Sequence, residues 1–313
     1  MKLKRITKYI ITVVLAAAVT LCACERTAPR KETETVSEAT YAATVTAAED
    51  TSAAETIPPA QTPGTRSTTG SGETERVTES TAEEKTPFST DMVIANLNIK
   101  HGSEGLDKVA GAISEVSPDI IGLEEVDVNC SRSGCVDEPA ELSRLTGLPY
   151  HAFSKAIPLG DGEYGTAILS RYPIVSYETV KFDSGRNEGR SVGHAVVNIE
   201  GLLFDVFVTH LSYEDRDVRK GQMKTIAAMH AQCERYVLTG DLNCFDLEDI
   251  SYLGAAYCVN RPDRRYGTFY RYSSFFPDNI AVSGEFTELS SGMSDTECSD
   301  HRLLYAKFRF TER

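Results

Sequence analysis

The sequence predicts an α/β fold of the layered-sandwich type. In the second two-thirds of the 313-residue chain, segments with a strand pattern outnumber segments with helical periodicity. The turn signal Glu200-Gly201 separates two longer strand segments as in a hairpin, whereas other strands are joined through helices. This mixture of hairpins and helical crossovers favours a layered sandwich over a doubly wound parallel sheet.

The individual elements follow from the apolar pattern, taken along the chain. Apolar residues at helical spacing predict a helix over residues 106–116, which ends before Pro118, and a longer surface helix over residues 216–235. Short apolar runs predict strands. These runs cover residues 92–98, 120–125, 166–170, 192–199, 203–211, 236–239, 279–283 and 302–310.

Residues 1–24 have the pattern of an export signal. Basic residues at positions 2, 4, 5 and 8 precede an apolar stretch that ends in Leu21-Cys22-Ala23-Cys24. This ending resembles the cleavage box of a bacterial lipoprotein, in which the cysteine after the cut carries lipid, and Cys24 is the matching position. An ordinary signal peptide or an uncleaved anchor is the alternative.

The rest of the chain divides at about residue 87. Residues 25–87 are rich in Thr, Ala, Ser and Glu and have too little apolar surface to offset the entropy of ordering, so a disordered tether is expected. Residues 88–313 are long enough for one large core and form the predicted catalytic domain. Of the net charge of −14, this domain carries −12, the signal +4 and the tether −6, which excludes a strongly basic nucleic-acid-binding protein.

Polar side chains that suit metal and proton chemistry recur where the predicted strands end. Mg²⁺ prefers carboxylate and amide oxygens, and histidines near neutral pH move protons and stabilise charge. Together these residue types suit metal-assisted phosphoester hydrolysis. The candidates are Asn98, Glu125, His210, Asp241, Asn243, Asp278, Asp300 and His301.

Taken in order, these motifs resemble those of the endonuclease/exonuclease/phosphatase superfamily, which has the deoxyribonuclease-I-like fold. The resemblance is carried by Thr209-His210-Leu211, Gly240-Asp241-Leu242-Asn243 and Ser299-Asp300-His301-Arg302. Further matching segments lie at residues 94–102, 118–127, 132–134, 163–174, 268–269 and 278–280. The family implies a four-layer α/β sandwich, with two mixed β-sheets packed face to face and helices outside.

The resemblance also implies roles for single residues. Glu125 and Asn98 would hold Mg²⁺, with Mn²⁺ as the alternative, and Asp300 would serve the metal or support it. Asp241 would activate the attacking water, and Asn243 would contact the scissile phosphate. His301, oriented by Asp278, would contact that phosphate, and His210 would stabilise the leaving group.

Three further residues belong to this set with less defined roles. Glu124 lies where the family often has Gln and is expected to add a negative charge beside the metal. Arg132 and Arg190 are candidates for phosphate binding, with a structural role as the alternative. The six cysteines of the domain leave both disulfides and free thiols open.

The sequence therefore predicts a lipid-anchored, extracytoplasmic and monomeric phosphoesterase that depends on Mg²⁺. Its substrate is a phosphodiester or phosphomonoester in a lipid head group, a small metabolite or nucleic acid. A catalytically silent surface binding module and an extracellular nuclease are the alternatives.

Overall fold

A computed structural model of the chain describes residues 87–312. In this part of the chain two mixed sheets of six strands each have the orders β11-β12-β1-β2-β4-β3 and β5-β6-β7-β8-β10-β9. The strands are β1 (Ser89–Asn98), β2 (Ile120–Val128), β3 (Tyr150–Leu159), β4 (Gly162–Ser170), β5 (Ile174–Lys181), β6 (Ser191–Ile199), β7 (Leu202–His210), β8 (Tyr236–Asp241), β9 (Tyr257–Cys258), β10 (Asp278–Val282), β11 (Phe286–Met293) and β12 (Leu304–Thr311). The α-helices are α1 (Leu106–Val116), α2 (Glu138–Thr146) and α3 (Arg216–His230), and short 3-10 helices cover Lys100–Gly102, Ser131–Ser133 and Leu247–Leu253.

The two sheets pack face to face, and helices cover their outer faces. The core between the sheets includes Ile94 of the first sheet and Val208 of the second, both fully buried. Helices α1 and α2 pack on the outer face of the first sheet, and α3 packs on the outer face of the second. The expected four-layer sandwich of two mixed sheets is therefore confirmed.

Each sheet contains one βαβ unit at its centre. The C-terminal ends of the parallel strands in both units lie at the same end of the sandwich. Strands β1 and β2 run parallel and are connected through α1, and β7 and β8 run parallel and are connected through α3. Such central strands are buried on both faces, which explains their nearly continuous apolar sequence. Strands β1, β7 and β8 end in the polar residues Asn98, His210 and Asp241, and β2 contributes Glu124 and Glu125 from within the strand; these residues begin the candidate site.

A close approach of the two sheets requires a glycine on β2. A Cβ atom at Gly122 would lie 1.9 Å from Thr239 Oγ1 on β8 of the opposite sheet.

Residues 160–165 contain the Gly-x-Gly-x-x-Gly spacing of dinucleotide-binding proteins. These residues lie in the hairpin of β3 and β4. A dinucleotide-binding motif lies between a strand and a helix, so these glycines serve the hairpin instead.

The structure differs from the sequence-based elements at several positions. The helix predicted over residues 216–235 ends at His230, because Gln232 and Cys233 donate backbone hydrogen bonds to residues three positions earlier and turn the chain toward β8. Four strands (β3, β5, β9 and β11) and helix α2 are additional to the predicted set.

Some predictions fall outside the described residues. The signal over residues 1–24 with Cys24, and the tether over residues 25–87 except its last residue, belong to this group. Within residues 87–312 no helix has the length and apolar character that crossing a membrane requires. The six cysteines of this part of the chain are all free thiols.

Candidate active site

The register of the two sheets places polar side chains of five strands at one end of the sandwich. In the second sheet His210 of β7 pairs with Asp241 of β8, and Asp241 in turn pairs with Asp278 of the antiparallel strand β10. In the first sheet Asn98 of β1 pairs with Glu124 of β2. Because the sheets face each other, these side chains meet in the space between them.

A bulge in β2 directs two successive glutamates to this site. Side chains of a regular strand alternate between the two faces, so Glu124 and Glu125 would normally point in opposite directions. The pairing of β2 with β4 shifts register between Leu123 and Val126, and Glu125 has a φ of +54°, which is strained for a residue with a side chain. Such strain is often retained at functional sites.

Asn98 joins Glu125 to the centre of the site. Its amide nitrogen donates to Glu125 Oε1 at 3.1 Å and to Asp241 Oδ2 at 3.2 Å. Its amide oxygen accepts from the backbone N–H of Lys100 at 3.1 Å, which fixes the orientation of the amide. Glu125 itself is half-buried, so its carboxylate is reachable from solvent.

Asp241 is the side chain that most of the site surrounds. It is 2% exposed, and its Oδ1 accepts from the backbone N–H of Asn243 at 3.0 Å. Burial raises the pKa of Asp241 to about 6, although the positive charge of His301 and the hydrogen bond from Asn98 oppose this rise. The carboxylate is therefore ionised, and able to accept a proton, at neutral pH.

His301 and Asp278 form a buried ion pair. The two groups approach to 2.8 Å between His301 Nδ1 and Asp278 Oδ2, and His301 Nε2 lies 3.7 Å from Asp241 Oδ2. Burial by itself lowers the pKa of His301, but the charge and hydrogen bond of Asp278, together with Asp241 and Asp300, raise it to about 10. His301 is thus a cation over the physiological pH range.

His210 has the opposite character because its neighbour is an arginine. Arg190 Nη1 lies 2.9 Å from His210 Nδ1, and both side chains are buried. Since a guanidinium only donates, Nδ1 accepts and the imidazole proton resides on Nε2, 3.5 Å from Asp241 Oδ2. Burial, with the charges of Arg190 and His301, lowers the pKa of His210 well below its usual range. His210 is a neutral donor.

Asn96 and Glu124 contribute to the site in ways that the sequence did not predict. Asn96 of β1 is fully buried and donates both to Glu124 Oε2 at 3.1 Å and to Asp278 Oδ1 at 3.0 Å. Burial, reinforced by the charges of Asp278 and Asp241, raises the pKa of Glu124 well above its usual range. Burial and these neighbours therefore work against the negative charge that the sequence leads us to expect at Glu124.

The remaining predicted residues lie around this cluster. Asn243 has a φ of +48° and donates its side-chain amide to the backbone oxygen of Leu211 at 3.0 Å. Arg132 binds Asp127 through two hydrogen bonds of 2.7 and 2.8 Å. Asp300 forms an ion pair of 2.9 Å with Lys100, so the structure does not bring its carboxylate into the buried cluster. Arg190 contacts His210, as described above.

The donor set fits a hard divalent cation. Potential ligand atoms of Asp241, Asp278 and His301 lie within 4.8 Å of one another, and Glu125 adds a carboxylate from the opposite sheet through Asn98. The carboxyl groups of Asp241, Asp278 and Glu125 outnumber the single imidazole of His301 here, so the site is rich in oxygen donors. Oxygen donors of this kind are the ligands that Mg²⁺ or Mn²⁺ prefers.

Three phenylalanines form an aromatic strip that leads from His301 to the surface. Phe269 packs edge-on against the His301 ring with centroids 5.1 Å apart, and Phe275 packs against Phe269 at 5.9 Å. Phe245 stacks on Phe275 at 4.7 Å and is 69% exposed. Exposed aromatic rings beside a polar site provide an apolar contact surface for a ligand.

Comparison with known proteins is consistent with this geometry. Residues 95–301 match the Endonuclease/Exonuclease/phosphatase family. The protein cwh43 of Schizosaccharomyces pombe is 25% identical over 212 residues, which cover 60% of this chain but only 21% of that protein. An endonuclease/exonuclease/phosphatase from Beutenbergia cavernae has 20% identity and a TM-score of 0.61, covering 70% of this chain and 72% of its own. TDP2 of D. rerio, complexed with a single-strand DNA product, has 17% identity and a TM-score of 0.55, covering 70% and 99%. At these identities the two solved structures establish the fold alone.

The electrostatic description of His301 predicts the effect of a conservative substitution. Asp278→Asn keeps the size of the side chain but removes the charge that holds the imidazolium, so the pKa of His301 should fall from about 10 to a lower value. His301 should then lose its proton at a lower pH than in the parent chain. The measurement is an NMR titration of the histidine ring carbons in both chains.

Circular dichroism of both chains is the control that the substitution leaves the fold intact. An unaltered titration of His301 in the Asp278→Asn chain would contradict the proposed origin of its charge.

Proposed function

Because the chain belongs to the Endonuclease/Exonuclease/phosphatase family, whose members hydrolyse phosphoesters with a divalent metal, we propose that it is a Mg²⁺-dependent phosphoesterase. The observation that carries this proposal is the buried cluster of Asp241, Asp278 and His301 beside the Asn98–Glu125 pair. We also propose that the enzyme acts at the extracytoplasmic membrane surface, anchored as a monomer through lipid on Cys24. That placement is supported by the N-terminal sequence pattern.

The family resemblance implies Glu125 and Asn98 as metal-binding residues. In this proposal Glu125 supplies the ligand oxygen and Asn98 positions it, because the Asn98 amide nitrogen donates to Glu125 while its oxygen accepts from the Lys100 backbone N–H. A bound Mg²⁺ supplies positive charge against a phosphate oxygen and so lowers the cost of charge that develops in the transition state. Glu125 is the half-buried carboxylate of the site, which suits it to contact both solvent and a cation. The bulge in β2 and the hydrogen bond from Asn98 direct the Glu125 carboxylate toward the site.

The protein groups divide the proton and charge transfers among them. Asp241 is ionised at neutral pH and accepts a proton from the attacking water, which becomes the nucleophile. His301 is a cation whose Nε2–H donates to the phosphate, and negative charge that develops there is stabilised by this fixed donor. His210 donates through its neutral Nε2–H, and Asn243 is the remaining candidate for phosphate contact.

The aromatic strip (Phe245, Phe269 and Phe275) favours a substrate with an apolar group next to the phosphate. It begins at the phosphate-binding histidine and ends at an exposed ring, so a bound substrate would extend along it. A lipid head group joined to its apolar portion fits this arrangement and the proposed membrane anchor. We therefore propose a lipid phosphoester rather than a small polar metabolite as the substrate.

A nuclease is the second candidate function, and the same strip supports it. Nucleic-acid bases stack on aromatic side chains, and the similar TDP2 structure contains single-strand DNA. The domain charge of −12 weighs against this alternative, because nucleic-acid binding depends mainly on neutralising phosphates. A silent binding module is less favoured still, since the structure assembles acid, base and charge-stabilising groups around one point.

Removing the metal ligand should abolish hydrolysis without unfolding the chain. Glu125→Gln keeps the shape of the side chain but removes its charge, and we expect a loss of kcat of roughly 10²–10⁴-fold on a soluble diester in Mg²⁺. Excess EDTA should have the same effect on the parent chain, and added Mg²⁺ should reverse it. Glu234→Gln is the matched control, because the Glu234 side chain is 80% exposed.

Circular dichroism of each variant checks the fold. Full activity in EDTA, or equal activity of the Glu125→Gln and Glu234→Gln chains, would contradict metal-dependent hydrolysis at this site.

Shortening the exposed end of the aromatic strip should selectively weaken the binding of lipid substrates. Removing a phenyl ring that contacts an apolar group costs about 1–2 kcal/mol, so Phe245→Ala should raise KM for phospholipid vesicles by roughly 5–30-fold. The KM for a small soluble diester should stay the same. Leu203→Ala is the matched control, because Leu203 is 50% exposed near the opposite end of β7 from His210.

A single-strand oligonucleotide is the third substrate in this experiment. Faster turnover of the oligonucleotide than of the vesicles, with the same dependence on Phe245, would favour the nuclease. Equal effects of Phe245→Ala and Leu203→Ala would show that the strip does not contact substrate.

A further inference from the structure

A second cluster of metal-ligating side chains lies on the outer face of the second sheet, away from the candidate active site. Potential ligand atoms of His194, Asp205 and Cys233 lie within 4.8 Å of one another, and all three residues are half-buried. His194 comes from β6 and Asp205 from β7, whereas Cys233 comes from the turn between α3 and β8. The cluster therefore joins the end of a helix to two strands of the sheet.

The histidine of this cluster is already oriented as a ligand. Its Nδ1 lies 3.1 Å from Glu178 Oε1 on the neighbouring strand β5, where Glu178 and His194 are direct register partners. Its ring stacks on Phe207 with centroids 4.4 Å apart and an interplanar angle of 13°. Its Nε2 faces Asp205 Oδ1 at 2.7 Å. A histidine that binds a metal usually donates its other ring N–H to a carboxylate in this way, which fixes both tautomer and orientation.

The chemistry of the three groups selects a transition metal over magnesium. A thiol, an imidazole and a carboxylate together are typical of Zn²⁺ sites, whereas Mg²⁺ takes oxygen ligands. Zinc bonds of about 2.0–2.3 Å place tetrahedral ligands roughly 3.3–3.8 Å apart. Atoms that are up to 4.8 Å apart would approach by roughly 1.0–1.5 Å, and His194 Nε2 and Asp205 Oδ1, now 2.7 Å apart, would separate by about 0.6–1.1 Å. Side-chain rotation at these partly exposed positions allows both movements.

We propose that His194 Nε2, Asp205 Oδ1 and Cys233 Sγ form a structural Zn²⁺ site, with Glu178 as the carboxylate that orients His194. Binding releases the proton of the Cys233 thiol to solvent, and a thiolate then coordinates the ion beside a neutral imidazole whose one ring proton is on Nδ1, facing Glu178. Water completes the fourth position. The bound ion would hold the C-terminal end of α3 against the sheet. The N-terminal end of α3 begins six residues after His210 of the active site.

Cobalt spectroscopy distinguishes this site from the catalytic metal. Co²⁺ bound by a thiolate gives a charge-transfer absorption in the near ultraviolet, and the active-site cluster of Asp241, Asp278 and His301 contains no thiol. The protein is the full chain with Cys22→Ser and Cys24→Ser, so that N-terminal thiols do not contribute, freed of metal and titrated with Co²⁺. We expect a band that saturates at about one equivalent and disappears when Zn²⁺ is added, since Zn²⁺ competes for such ligands.

Single variants on this background test each ligand. Cys233→Ser and His194→Gln should abolish the band, whereas Cys135→Ser, which removes an exposed thiol outside the cluster, should leave it unchanged. Glu178→Gln should keep the band but weaken Co²⁺ affinity by about 10–100-fold. Zn²⁺ should raise the melting temperature of the parent chain but not that of Cys233→Ser.

Asp205→Asn serves as a second ligand variant if Cys233→Ser does not fold. Like the other ligand variants, it should abolish the band by removing a ligand of the ion. A parent chain without a thiolate band, or a band that persists in both the His194→Gln and Asp205→Asn chains, would overturn the proposal. Because the readout is spectroscopic, this result is independent of whether the chain hydrolyses phosphoesters.

Discussion

The burial of ionisable groups between two β-sheets is the constraint on which the candidate site depends. Asp241, Asp278 and Glu124 are at most 2% exposed, and burying an uncompensated carboxylate is costly. The structure compensates each differently. Asp278 is paired with the His301 cation, Asp241 accepts from Asn98 and a backbone N–H, and Glu124 is favoured in its neutral form. The same arrangement that makes burial tolerable produces one charged donor, one ionised base and one neutral histidine.

The backbone contributes to this arrangement at two positions with positive φ. Glu125 lies in the bulge of β2, and Asn243 lies two residues after the end of β8. Neither residue is glycine. Asparagine adopts this conformation more readily than most residues, whereas for Glu125 it is costly and persists only where the surrounding structure enforces it. Here the sheet packing and the hydrogen bonds of Asn98 and Asp241 enforce it, and the result is that both side chains remain beside the cluster. Structural strain and functional geometry are thus coupled in this fold.

The sequence predicts the centre of the fold better than its edges, for physical reasons. Strands β1, β2, β7 and β8 are buried on both faces and have continuous apolar runs, so their polar ends are visible in the sequence. Edge strands β3 and β5 are half-exposed and have weaker patterns. Helix α2 has a recognisable start in the sequence, since Asp137 caps it and Pro139 lies in its first turn.

Contacts between residues that are far apart in the chain could not be predicted from the sequence alone. The neutral form of Glu124 depends on Asp278, which lies 154 positions later in the chain, and the tautomer of His210 depends on Arg190. The cluster of His194, Asp205 and Cys233 likewise forms only when a helix end returns to the sheet. Spacing rules describe neighbours in sequence, whereas these properties arise from tertiary packing.

The central claim is that one buried arrangement binds both a divalent metal and a phosphate. A crystal structure of the chain grown with Mn²⁺ and inorganic phosphate tests it most directly, because the anomalous signal of Mn²⁺ distinguishes the metal from water and lighter ions. We expect an anomalous peak at Glu125 and Asn98, with phosphate oxygens in contact with His301 and His210. The absence of a peak beside Glu125, together with no phosphate at these histidines, would contradict metal-assisted hydrolysis at this site.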